Sequence, residues 1–141
     1  MATAQPQPPK GDQVFFSWQS FGLCYVIRLD RGKLLAATRD YPLPFPPGRI
    51  IRRSPDHWKA FWTEVAAAGG WDWKPKYDSG DVLDGGLWSL RLCHGGRFVR
   101  SQGCNDYPGG RGEEFDPGCS FDRVERALRK LADLPDEVEE A

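Results

Sequence analysis

The tripeptide Asp-Tyr-Pro occurs twice, as Asp40-Tyr41-Pro42 and Asp106-Tyr107-Pro108, and its surroundings recur in the same order at nearly one spacing. An offset of 66 residues relates the two tripeptides, takes Ser54 and Asp56 to Ser120 and Asp122, and takes Trp58, Trp62 and Val65 to Val124, Leu128 and Leu131. An offset of 63 takes Tyr25-Val26-Ile27-Arg28-Leu29 to Trp88-Ser89-Leu90-Arg91-Leu92, so one three-residue insertion near the second hairpin reconciles the two registers. Shared amphipathic patterning accounts for the matched apolar positions. It does not account for the repeated tripeptide or its constant distance to a helix start. The chain therefore reads as a duplicated strand–strand–helix unit.

Local chemistry supplies the elements. Phe15 to Leu29 is aromatic and β-branched, which predicts a strand. Asp30-Arg31-Gly32-Lys33 predicts a hairpin turn returning through Leu34 to Thr38. Tyr41 to Gly48 holds four prolines and predicts a stiff surface connection. Ser54-Pro55-Asp56 has the cap, the first-position proline and the early acid of a helix start. Trp58, Phe61, Trp62 and Val65 then bury one helical face, and Gly69-Gly70 ends it. Trp71-Asp72-Trp73 predicts an extended stretch broken at Pro75, followed by an acidic loop from Asp78 to Gly86. Leu87 to Leu92 alternates as a strand, Cys93-His94-Gly95-Gly96 turns, and Arg97 to Ser101 returns. Ser120 is expected to cap a last helix with Phe121, Val124, Leu128 and Leu131 inward.

One hairpin and one helix bury too little surface to stand alone. Two such units predict an α+β fold: one antiparallel sheet with both helices on one face. Alternation places Tyr25, Ile27, Leu29, Trp88, Leu90 and Leu92 under the helices and leaves Arg28 and Arg91 on the open face. Residues 1–12 read as a disordered leader, 13–134 as a single domain with halves at about 13–69 and 71–134, and 135–141 as an acidic tail.

The chain has 141 residues, enough for one core. Its 19 basic and 20 acidic residues do not advertise a polyanion-binding protein or an acidic nucleic-acid mimic. No run approaches the roughly 18 apolar residues of a membrane span, and the Pro- and Gln-rich N-terminus has no secretory pattern, so a cytoplasmic location, with no membrane partner, is expected in a bacterium or phage-infected cell. In that compartment Cys24, Cys93, Cys104 and Cys119 read as thiols.

Trp71-Asp72-Trp73, Asp84-Gly85 with Trp88, and Gly103 with Asn105 and Tyr107-Pro108 together form a pattern. Over about residues 55–134 the chain resembles a family of small bacterial hypothetical proteins with W-x-W, DG-x-x-W-x-L and G-x-N-x-Y-P, followed by an amphipathic helix. Here Gly86 and Leu87 separate Asp84-Gly85 from Trp88, close to that spacing. No activity is assigned to such proteins, so the resemblance implies a shared domain and transfers no catalytic residue. The Gly109 to Gly118 loop is longer than usual there.

No residue set implies a catalytic centre, a cofactor or a metal. Cys93, His94, Cys104 and Cys119 lack the paired spacing of a zinc site. Adjacent Cys93 and His94 point apart on a strand end, His57 and His94 read as surface histidines, and Asp78, Asp81 and Asp84 do not match a calcium loop. The candidate binding residues are Arg28, Asp40, Tyr41, Arg91, Asn105, Asp106 and Tyr107. Asn105, the only Asn, suits a left-handed backbone. The tyrosines of the two tripeptides are expected to occupy equivalent edges. The leading expectation is a non-enzymatic domain that binds another protein as an inhibitor, immunity protein or accessory subunit. One alternative is a nucleic-acid-binding module using the open sheet face, combining Arg28, Arg91 and exposed aromatics with the basic cluster Arg49, Arg52 and Arg53. The other is a small metal-dependent or Cys-based enzyme, which requires His94, Cys104 and Cys119 to meet.

Overall fold

The computed structural model describes residues 11–20, 22–78, 86–104, 106–108, 110–111 and 118–134. It is an α+β fold. Among the described residues nine strands, β1 (Gln13–Gln19), β2 (Leu23–Asp30), β3 (Lys33–Asp40), β4 (Arg49–Ile51), β5 (Lys76–Asp78), β6 (Leu87–His94), β7 (Arg97–Cys104), β8 (Asp106–Tyr107) and β9 (Gly110–Arg111), accompany two helices, α1 (Pro55–Ala67) and α2 (Ser120–Leu131). Seven strands form one sheet in the order β4-β3-β2-β1-β6-β7-β5, while β8 and β9 pair separately. Every pairing is antiparallel except that of β5 with β7. No helix among the described residues is long and apolar enough to cross a membrane.

A hairpin precedes each helix, β2-β3 before α1 and β6-β7 before α2. Both hairpin turns use two residues with positive φ, Arg31-Gly32 and Gly95-Gly96, which matches the twist of the flanking strands. The sequence reading missed the joint between the hairpins. What reads as one strand from Phe15 to Leu29 is β1 and β2, divided where the Ser20 hydroxyl donates to the Leu23 carbonyl (3.0 Å) and accepts from Gly22 N–H (3.1 Å). β1 sits at the centre of the sheet and pairs with β2 on one side and β6 on the other.

Both helices cover one sheet face. Val14, Phe16, Tyr25, Ile27, Leu34, Ala36, Trp88, Leu90, Leu92 and Val99 meet Phe61, Trp62 and Val65 of α1 and Phe121, Val124, Leu128 and Leu131 of α2. This is the face that strand alternation assigns. Helix α1 starts as expected, with Ser54 as cap accepting from His57 N–H. Helix α2 does not. Its cap position is Cys119, which makes no side-chain cap bond. Ser120 instead accepts from the Trp73 indole N–H (2.7 Å) and donates to the Ala68 carbonyl (2.5 Å), tying the end of α1 to the start of α2. Residues Gly70–Asp72 form a single 3₁₀ turn, where an extended stretch was expected, because Gly69 reverses the chain at φ 76°.

The pattern around Trp88, Gly103, Tyr107 and Pro108 has a structural explanation. Trp88 donates its indole N–H to the Asp106 carbonyl (2.9 Å), across the strand from Gly103. Tyr107 packs between Trp18 and Phe121, and Phe121 N–H reaches the Pro108 carbonyl (3.1 Å). These residues turn the chain from the sheet into α2. Tyr107 is therefore core, 9% exposed, whereas Tyr41 follows β3 at 42% exposure. The equivalence expected of the two tyrosines does not hold. The same tripeptide is covered by α2 in one place and left uncovered in the other.

Candidate functional site

Strand register aligns one residue from each of six strands across the face that the helices leave open. Ile50 lies opposite Leu35, Leu35 opposite Arg28, Arg28 opposite Phe15, Phe15 opposite Arg91, and Arg91 opposite Arg100. At about 4.8 Å per strand the row spans about 24 Å. One end is apolar and the other holds three arginines and an aromatic ring. The Arg91 guanidinium lies over Phe15, 4.7 Å from the ring centroid, a cation–π contact. Among the described residues no carboxylate forms an ion pair with Arg28, Arg91 or Arg100. A depression of 870 Å³ opens beside the basic end, lined by Phe15, Arg91, Phe98, Arg100, Gln102 and Trp71.

The apolar end continues into the connection between β3 and β4. Arg39 fastens that connection: its guanidinium donates to the Leu43 carbonyl (2.9 Å) and stacks on Phe45 at 4.6 Å. Leu43, Phe45 and Ile50 remain exposed at 60%, 38% and 52%.

Of the residues that the sequence singles out, Arg28 and Arg91 stand in this row. Asp40 and Tyr41 follow at the exposed end of β3. Asp106 and Tyr107 belong to the core wall behind Trp88, and Asn105 lies outside the described residues. Phe15, Leu35, Ile50 and Arg100 complete the row and were missed. The alternation of β7 placed Arg100 on this face, but nothing local pairs it with Arg91.

Several other charged groups have partners within the protein. Two arginines of the basic cluster before α1 have structural partners: Arg53 donates to the Leu131 carbonyl (2.7 Å) and Arg49 to the Ala132 and Asp133 carbonyls (3.4 and 3.3 Å), at the C-terminus of α2. The groove between the helices, 680 Å³, is bridged by Arg123 and Glu64 in a two-bond pair at 3.0 and 2.8 Å. Tyr25, 1% exposed, donates to Glu125, and Arg129 donates to the Tyr25 oxygen (3.2 Å) and to Glu125 (3.3 Å). Burial first, then the Glu125 charge, raises the Tyr25 pKa well above its ordinary value, with Arg129 opposing. Tyr107 is raised in the same way, by burial and then by Glu125, Cys104 and Asp106.

The thiols and histidines do not assemble. Cys104 pairs with Leu87 at one end of the β6–β7 hairpin, while His94 pairs with Arg97 at the other. Those ends lie roughly 24 Å apart at 3.4 Å per residue. His94 stacks on Trp62, with ring centroids 4.4 Å apart, and bonds Asp12 at 3.0 Å. Burial, followed by the Asp12 charge, raises the Cys93 pKa, which favours the unreactive thiol. Among the described residues no group of three or more His, Cys, Asp or Glu is placed to hold a metal ion. The loops around Asp78 to Gly86 and Gly109 to Gly118 lie largely outside the described residues. No protein family, curated protein or solved structure compared with the chain matches it.

Proposed function

We propose that this domain is a protein-binding module and that the open face of its sheet is the binding surface. The observation that carries this reading is the single row running from Ile50 and Leu35 to Arg28, Phe15, Arg91 and Arg100. An aromatic and arginine cluster beside exposed aliphatic side chains has the composition of an interface centre. A single-stranded nucleic acid would use stacking platforms along a basic groove. Here the Phe15 ring is already covered by Arg91, and the apolar end offers nothing to a phosphate backbone. An inhibitor, an immunity protein or an accessory subunit would use the same surface.

The test is affinity capture with the wild-type chain and with Ile50→Asp, a substitution at an exposed position. The expected result is one stoichiometric protein partner, bound at least roughly tenfold more weakly by the variant, as for an interface anchor. Equal capture by both proteins, or salt-dependent binding of oligonucleotide in place of a protein, overturns the proposal.

A further inference from the structure

We infer that the partner presents an acidic segment to the Arg28–Phe15–Arg91–Arg100 end of the row, an inference that rests on the binding face proposed above. Three observations lead there. First, Arg91 and Arg100 are direct cross-strand neighbours on one face. Like charges in that relation lower the stability of a sheet. The chain has 20 acidic residues, yet none stands in this row. A local rule broken without an internal compensation marks a surface shaped for a ligand.

Second, the guanidinium of Arg91 already has a resting place. Its central carbon lies over the Phe15 ring, 4.7 Å from the centroid, so less side-chain freedom is lost when it binds. A guanidinium edge matches a carboxylate with two parallel hydrogen bonds. One carboxylate above the Arg91–Arg100 pair takes donors from both and removes their repulsion. Arg28 lies two strand intervals from Arg91, about 10 Å, on the far side of Phe15. It therefore takes a second carboxylate.

Third, the row ends on Leu35 and Ile50. These give an acidic polypeptide a place for apolar side chains and give a sugar-phosphate chain nothing. The ligand class is thus a polypeptide segment with two spaced carboxylates and an adjacent apolar residue.

The experiment is an NMR titration of the full chain at low salt with poly-L-glutamate and, separately, with a twenty-residue oligothymidylate. The side-chain N–H resonances of Arg28, Arg91 and Arg100 are the readout. They are expected to shift with polyglutamate, and the double variant Arg91→Gln/Arg100→Gln is expected to bind it at least tenfold more weakly. The same variant is expected to melt about 1–4 °C higher than wild type in the absence of ligand, because the repulsion is gone. Arginine resonances that ignore polyglutamate, or respond more strongly to the oligonucleotide at equal charge, overturn the inference. If polyglutamate fails while Ile50→Asp still abolishes partner capture, the acidic segment is wrong and the binding face stands. If polyglutamate binds and Ile50→Asp captures normally, the face reading is the one that falls.

Discussion

A methyl group added at Gly103 would lie 2.3 Å from the Trp88 indole nitrogen and 2.6 Å from the Asp106 carbonyl oxygen. Neither neighbour can retreat, since Trp88 is 2% exposed and the oxygen belongs to the backbone. Gly103→Ala is therefore expected to cost about 1–3 kcal/mol, as overpacking does. Urea unfolding measures it, and an unchanged midpoint would show that the indole has room to move. The sequence makes this glycine conspicuous through its place before Asn105 and Tyr107. Its partner is not legible, because the contact crosses a strand pair whose register is set elsewhere. Tyr107 shows the same limit. Its tripeptide is readable as a repeat of Asp40-Tyr41-Pro42, but its burial depends on Trp18 and Phe121, each distant in sequence.

At the level of elements, α2 depends on arginines that precede α1. The last carbonyls of a helix lack partners within it and carry partial negative charge. Arg53, its side chain 19% exposed, supplies donors there and lies 3.9 Å from Asp133. Arg53→Ala is expected to lower stability by about 1.5–3 kcal/mol, the range for hydrogen bonds to charged groups. Arg52→Ala, at an exposed position in the same cluster, is expected to stay within about 0.5 kcal/mol. Equal losses in thermal or chemical unfolding would contradict the assignment. Periodicity made both helices and both hairpins legible, including the face each strand buries. It could not reveal that Arg53 reaches Leu131, that Ser120 serves Trp73 in preference to its own helix, or that Ser20 and Gly22 divide a long β-forming run. Those outcomes depend on tertiary neighbours.

For the whole molecule, the sheet and α2 are joined through Tyr25, Glu125 and Arg129. In the unfolded chain Tyr25 ionises near its ordinary value of 10.0, whereas in the fold it stays protonated to higher pH. Its contribution is therefore intact below about pH 10 and lost above it, at up to about 1.4 kcal/mol per pH unit. Tyr25→Phe is expected to flatten the alkaline fall in stability, leaving the smaller share of Tyr107. Superimposable pH–stability curves for the two proteins would exclude Tyr25 as a source of that fall. The open face was legible from alternation, but the order of the strands was not, since the sequence pattern did not separate β1 from β2. Its central place has a consequence for synthesis. A ribosome releases β1 through α1 before β6, so during that interval β1 has β2 on one side and an unsatisfied row of backbone donors and acceptors on the other. The nascent chain must keep that edge from pairing with a neighbouring copy until Leu87–His94 emerges to close it.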